Sequence, residues 1–201
     1  MLDLTYPFTG RFLVQNSPAD RVPSHGTNRF GTRFAIDFVP LAPHLTRSRM
    51  SLRDLVRAQP PERSAGFGRP ITAPLTGHVV AVHDEEPDHA SFRGLPSVGY
   101  ALTQRRRAAL GWAALAGNHI AIRHDSGVLV VLCHLRQGSV GVAVGQQVVR
   151  GQQLAACGNS GNSTEPHLHL QAVDRLGADA LAIPITFAGL LPRNGTVLTL
   201  D

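Results

Sequence analysis

From residue 118 to residue 173 the chain is a succession of short apolar runs, broken at close intervals by glycine and small polar residues. Strands joined by tight turns produce that pattern. NHIAIRH (118–124) alternates, DSG (125–127) is a turn signal, and VLVVLCHL (128–135) follows, so the two runs make a hairpin. GVAVGQQVVRGQQLAACG (141–158) reads as small strands separated by glycine turns, and a polar loop over 158–166 leads into HLHLQAV. Successive side chains of a strand point to opposite faces. Leu168, Leu170 and Ala172 therefore line one face, and His167, His169 and Gln171 the other. RFAIDFV (33–39) and ITAPLTGHVVAVH (71–83) have the same strand character. The chain is mainly β.

Two segments depart from this pattern. Residues 41–70 hold six arginines against two acids, with a short helix expected around SLRDLVRAQ before the breaker PP. Residues 84–116 open on the acidic turn DEEPD and continue into SVGYALTQRRRAALGWAALA, the best helical stretch of the chain. Both read as partly helical insertions between strands of one β-core. At 201 residues, and without a linker rich in Gly, Ser or Pro, the chain fits a single domain spanning 1–201.

Composition narrows the function. A hydrophobic share of 43% and a charged share of 16% are those of a folded protein. All 19 basic residues are arginine, and the net charge of +5 suits an acidic partner. Nucleic acid is set aside as that partner, because aromatics are only 5% and no helix-turn-helix or zinc-finger spacing is present. Cys133 and Cys157 lie in no CxxC pair and read as small buried hydrophobes, with a single bridge between them as the alternative. The N-terminus lacks the pattern of a secretory signal, and no segment has the length of a transmembrane helix. The expectation is a cytoplasmic protein or one exported by another route. Nothing in the sequence speaks to its oligomeric state.

Ten histidines are more than this length predicts. His44, His78, His83, His89 and His119 belong to no partner pattern and read as solvated or hydrogen-bonded. His124 precedes a turn that its ring would help to fix. Four others stand out. His25 lies in the polar loop SHGTNRFG, ahead of Asp37, whose carboxylate among the apolar neighbours of FAIDFV needs a cation or donors to offset its desolvation. His134 ends an apolar strand. His167 and His169 share a face, with Cα atoms roughly 6.5–7 Å apart by strand rise, so that one imidazole can bind a metal while the other reaches substrate or water.

These residues and their order resemble a known family. SH with a downstream FAIDF, then ITAPLTGHVVAV, GNHIAIRH, LCHL and GQQVVRGQQLAACGNSGNSTEPHLHL, look like the lysostaphin-type zinc metallopeptidases, the M23 peptidoglycan endopeptidases. The resemblance runs over roughly residues 20–175 and is most specific in the last segment. It implies an antiparallel β-sheet core with a substrate groove walled by loops, the two insertions building those walls. It also implies one Zn2+ ion, with His25, Asp37 and His169 as metal ligands and His134 and His167 as catalytic residues that do not bind the metal. Two imidazoles and a carboxylate leave a fourth tetrahedral position for water, the pattern of a catalytic zinc site.

Two departures from the family pattern carry expectations of their own. His25 precedes Asp37 by twelve residues where four are usual, so its loop must fold back, and His44 is the substitute ligand. Glu165 stands where the family often has a small residue and reads as a rim side chain. The arginines of the insertions would hold carboxylates of an acidic peptide stem, or form a solvated basic face. The implied function is hydrolysis of peptide bonds in peptidoglycan stem or cross-link peptides. The alternatives are a catalytically silent cell-wall module or hydrolase activator, and a cytoplasmic metallopeptidase acting on other peptides.

Overall fold

A computed structural model of the chain describes residues 1–42, 57–92 and 95–200. His44 and most of the helix expected around SLRDLVRAQ lie outside the described residues. The strands follow in chain order as β1 (Leu2–Leu4), β2 (Gly10–Gln15), β3 (Ile36–Pro40), β4 (Pro70–Thr72), β5 (Gly77–His83), β6 (Asn118–Arg123), β7 (Leu129–Leu135), β8 (Gln147–Val148), β9 (Gln153–Ala156), β10 (Leu168–Val173), β11 (Ile185–Phe187) and β12 (Val197–Leu200). Eight of them form one antiparallel sheet in the order β12-β2-β3-β10-β7-β6-β5-β8. The expected hairpin is β6–β7. Short pairs β1–β11 and β4–β9 lie outside this sheet.

The period-2 alternation decides what each face of the sheet meets. Ile36 and Phe38, Ile120 and Ile122, Val130 and Leu132, and Leu168, Leu170 and Ala172 all enter the main core, together with residues of the two small sheets. Phe8 stacks on Phe12, and the ring of Phe38 stands edge-on to Tyr6, Phe8 and Phe187. Burying a phenylalanine fully contributes about 1.5–3 kcal/mol, so these rings anchor β2, β3 and β11 to one another. The opposite face carries a smaller apolar cluster with Ala121, Val131, Cys133 and Val173, and beside it the polar residues Asp37, His169 and Gln171. Cys133 and Cys157 are both buried free thiols, which agrees with the reading of them as hydrophobes.

Three expected element boundaries change. The strand called over 33–39 begins at Ile36, because residues Arg29–Phe34 form a 3-10 turn with left-handed backbone at Phe30 and Gly31. The helical stretch of the second insertion is three short helices, α1 (Leu95–Leu102), α2 (Gln104–Ala109) and α3 (Trp112–Ala116). Gly111, with φ of 96°, separates the last two, and a glycine in that conformation does not continue a helix. His167 lies just ahead of β10, not within it. No helix among the described residues is long and apolar enough to cross a membrane.

Candidate metal centre

Asp37 on β3, His169 on β10 and Cys133 on β7 are opposite one another across three adjacent strands. The register therefore fixes a carboxylate and an imidazole side by side on the face away from the main core. Asp37 Oδ1 is 2.9 Å from His169 Nδ1, and Asp37 Oδ2 is 3.1 Å from His25 Nε2. The loop bearing His25 does fold back. Ser24 lies within it, and its hydroxyl donates to the carbonyl of Ala35 at 2.7 Å, just before β3 begins. The ligand atoms of His25, Asp37 and His169 all lie within 4.8 Å of one another.

His134 reaches this face through an irregularity of β7. Between the pairs Asn118–Leu135 and Ile120–Leu132, β7 has one residue more than β6, a bulge, and His134 has φ of 62°. Strict alternation would send His134 into the main core with Leu132. The extra residue instead returns Leu135 to that core and leaves both Cys133 and His134 on the other side. The His134 ring lies 4.8 Å from that of His167 and 5.8 Å from that of His169. His167 Nε2 is 3.8 Å from Asp37 Oδ1.

Hydrogen-bond partners determine which nitrogen of each ring carries a proton, since a carbonyl oxygen can only accept. His134 Nδ1–H donates to the Ser160 carbonyl at 2.9 Å, and His167 Nδ1–H to the Glu165 carbonyl at 2.8 Å. Both rings thus keep Nε2 as the open nitrogen. The Glu165 backbone is what bears on His167. His169 Nε2–H donates to Gln171 Oε1 at 3.0 Å, and the Gln171 amide is oriented by donating its own Nε2–H to the Phe30 carbonyl at 3.0 Å. The Ser24 hydroxyl, having donated its hydrogen, accepts from His25 Nδ1–H at 3.0 Å.

Neutral His25 and His169 therefore turn lone pairs toward the Asp37 carboxylate, a convergence of acceptors that requires a cation or protons between them. Asn16 Nδ2 donates to Asp37 Oδ2 at 2.7 Å, the one neutral donor facing the carboxylate among the described residues. Two imidazole nitrogens and a carboxylate oxygen with fixed outer hydrogen bonds suit a borderline metal such as zinc. The chain's residues fit that ion.

The ionisation of the cluster follows from the same contacts. Burial would raise the Asp37 carboxyl, but the His25, His167 and His169 rings that face it hold it well below the usual carboxylate range. Burial, with the neighbouring His167 and His169, pushes His134 well below the ordinary histidine value and keeps it neutral. For His169 burial acts downward as well, and the hydrogen bond and charge of Asp37 outweigh it, so the ring is raised.

All five residues singled out from the sequence meet here. Those that sequence reasoning passed over are Asn16, Ser24 and Gln171. Gln171 was visible as the third member of the His167–His169 face, whereas Asn16 and Ser24 are brought in by the fold. His124 behaves as expected, its Nδ1 lying 2.9 Å from the Ser126 hydroxyl in the hairpin turn.

Residues 100–179 match the family model of Peptidase family M23. That span contains His134, His167 and His169 but neither His25 nor Asp37. The chain is 34% identical over 80 residues to the peptidoglycan DD-endopeptidase ShyA of Vibrio cholerae, covering 39% of this chain and 18% of that protein. It is 31% identical over 132 residues to the peptidoglycan DD-endopeptidase ShyB of the same organism, covering 65% of this chain and 30% of that protein. The chain spans less than a third of the length of either relative. Among solved structures it is similar to the catalytic domain of the prophage-encoded M23 protein EnpA from Enterococcus faecalis, with a TM-score of 0.50, 16% identity, and coverage of 90% of this chain and 93% of that one. That likeness shows a shared fold.

Proposed function

We propose that this chain, whose residues 100–179 match the model of peptidase family M23, is a zinc-dependent endopeptidase that hydrolyses peptide bonds in peptidoglycan stem or cross-link peptides. The observation that carries the reading is the convergence of His25 Nε2, Asp37 and His169 Nδ1, with the open nitrogens of a second histidine pair beside them. The two relatives named as peptidoglycan DD-endopeptidases supply the substrate class.

His25, Asp37 and His169 would hold one zinc ion. Bound there, the ion supplies Lewis acidity and brings the pKa of the attacking water toward neutrality. The chain's own groups do the rest. Neutral His134, fixed as the Nδ1–H tautomer by the Ser160 carbonyl, presents Nε2 to accept the water proton. His167, fixed in the same tautomer by the Glu165 carbonyl, presents a second open Nε2, its ring 4.8 Å from that of His134. Once protonated, either ring can stabilise the developing oxyanion or protonate the leaving amine.

The test is hydrolysis of purified cross-linked muropeptides by the zinc-loaded protein, with His134→Ala and His169→Ala as controls. Activity is expected to need both residues, and only His169→Ala should lose zinc. Turnover that survives both substitutions would sink the assignment.

A further inference from the structure

The acidic run at the start of the second insertion is hydrogen-bonded both to the turn that follows His134 and β7 and to the loop that leads to His167. Asp84 Oδ1 and Oδ2 accept the N–H groups of Ser139 and Val140 at 3.3 and 3.1 Å, and Gln137 Nε2 donates to the Glu85 carbonyl at 3.0 Å. Asn118 exchanges hydrogen bonds with the backbone of Glu86, at 2.8 and 2.7 Å. These contacts hold the turn that follows β7, immediately beyond His134.

Asp88 joins that turn to the loop ahead of β10. Its Oδ2 accepts Gln137 N–H at 3.0 Å and its Oδ1 accepts Asn159 N–H at 2.6 Å. Alongside, His89 N–H donates to the Asn159 carbonyl at 3.2 Å, and Asn159 Nδ2 donates to the His89 carbonyl at 2.8 Å. Asn159 is fully buried and leads to both histidines. Its Oδ1 lies 2.8 Å from the Ser163 hydroxyl, which is 3.1 Å from His167 Nδ1, and the next carbonyl along the chain, that of Ser160, accepts His134 Nδ1–H. His169 has no need of such support, because the β7–β10 ladder already fixes it. The 158–166 loop belongs to no strand, so its orientation depends on contacts from outside the sheet.

We propose that Asp88 is a positioning residue for the His134–His167 pair. One carboxylate accepting two backbone N–H groups makes charge-assisted bonds, stronger than neutral ones. Those bonds tie the turn after His134 to the loop whose Ser160 carbonyl selects the His134 tautomer. The insertion thus acts as a strap that sets the alignment of the proton-transfer groups, in addition to any part it has in walling a groove. The kinetic part of this inference rests on the function proposed above, whereas the structural part does not.

The experiment compares the zinc-loaded protein with Asp88→Ala and Asp88→Asn. Asp88→Ala is expected to keep its zinc content and KM while kcat per bound zinc falls roughly 10- to 100-fold, the scale of a misplacement of about 1 Å. Asp88→Asn keeps an oxygen for Asn159 N–H and should recover part of the loss. In spectra of protein labelled with 15N-histidine, the His134 Nδ1–H resonance should be protected from exchange in the parent protein, weakened in Asp88→Asn and lost in Asp88→Ala. Unchanged kcat and an unchanged His134 signal would overturn the inference. If Asp88→Ala fails to fold, Asp88→Asn decides by the same two readouts. If the parent protein hydrolyses no muropeptide, the proposed function fails, and the imidazole resonance still decides the positioning of His134.

Discussion

His25 Nε2 and Asp37 Oδ2 lie 3.1 Å apart although twelve residues separate them in the chain. A side chain on a loop of this length is held by its surroundings: Ser24 takes the far nitrogen of the ring and is itself tied to the carbonyl of Ala35. The cost of bringing the loop back is met by bonds that also orient the ring.

Outer-shell bonds of this kind predict a graded loss of metal. His25→Ala and His169→Ala each remove one of the three proposed ligands and should leave the purified protein with little zinc. Gln171→Ala leaves all three ligands but frees His169 Nε2–H from its acceptor, so affinity should fall about 10- to 100-fold. Competition against a chromogenic chelator measures both. Equal affinity in Gln171→Ala and the parent would show that Gln171 does not orient the ring.

His134 should separate chemistry from metal binding. His134→Ala is expected to keep a full zinc complement and lose about 100- to 10,000-fold in kcat, the usual contribution of a positioned acid–base group. Zinc analysis and kinetics on one preparation decide this. Loss of zinc together with activity would place His134 among the ligands.

Gly117, with φ of 61°, closes α3 against the 158–166 loop. A Cβ there would come within 2.6 Å of Gly161 N and of the Ser160 carbonyl carbon. Gly117→Ala should therefore cost about 1–3 kcal/mol from the left-handed backbone alone, and displace the carbonyl that orients His134. Urea unfolding and activity should both suffer, whereas Gly127→Ala, whose Cβ meets nothing within 4 Å, should change stability through backbone strain and leave activity intact.

His119 is 5% exposed, with Nδ1 2.7 Å from the Gly117 carbonyl and Trp112 edge-on to its ring. Burial lowers its pKa below the ordinary 6.5. The unfolded chain then takes up a proton at a higher pH than the folded one. The stability His119 contributes is present above about pH 6.5 and is lost as the pH falls through its folded value. Urea midpoints at pH 7.5 and 5.5 should differ more for the parent protein than for His119→Gln. Equal differences would remove His119 from the acid response.

What could be read in the sequence depended on local regularity. Alternation over residues 118–124, 128–135 and 168–173 specifies strands and their buried faces, because the period is two wherever a sheet buries one side. The same alternation put His169 and Gln171 on the polar face, and the glycine-punctuated approach to HLHL carried the family resemblance. It failed for His134, where a bulge moves the ring to the face opposite the one that alternation assigns, and for the 97–116 stretch, where Gly111 interrupts a helical composition.

The candidate set, two imidazoles and a carboxylate beside a second imidazole pair, was legible in the sequence through the motifs that carry the family resemblance, with His44 as the alternative to His25, since residue type and order are local properties. The tertiary structure alone decided how a twelve-residue gap closes, which nitrogen of each ring stays open, and that Asn16, Ser24, Gln171 and the Asp88 strap hold the groups in place. Those outcomes depend on contacts such as His25–Asp37, His169–Asp37, His134–Ser160 and Asp88–Asn159, whose partners lie far apart in the chain and come within hydrogen-bonding distance only in the folded structure.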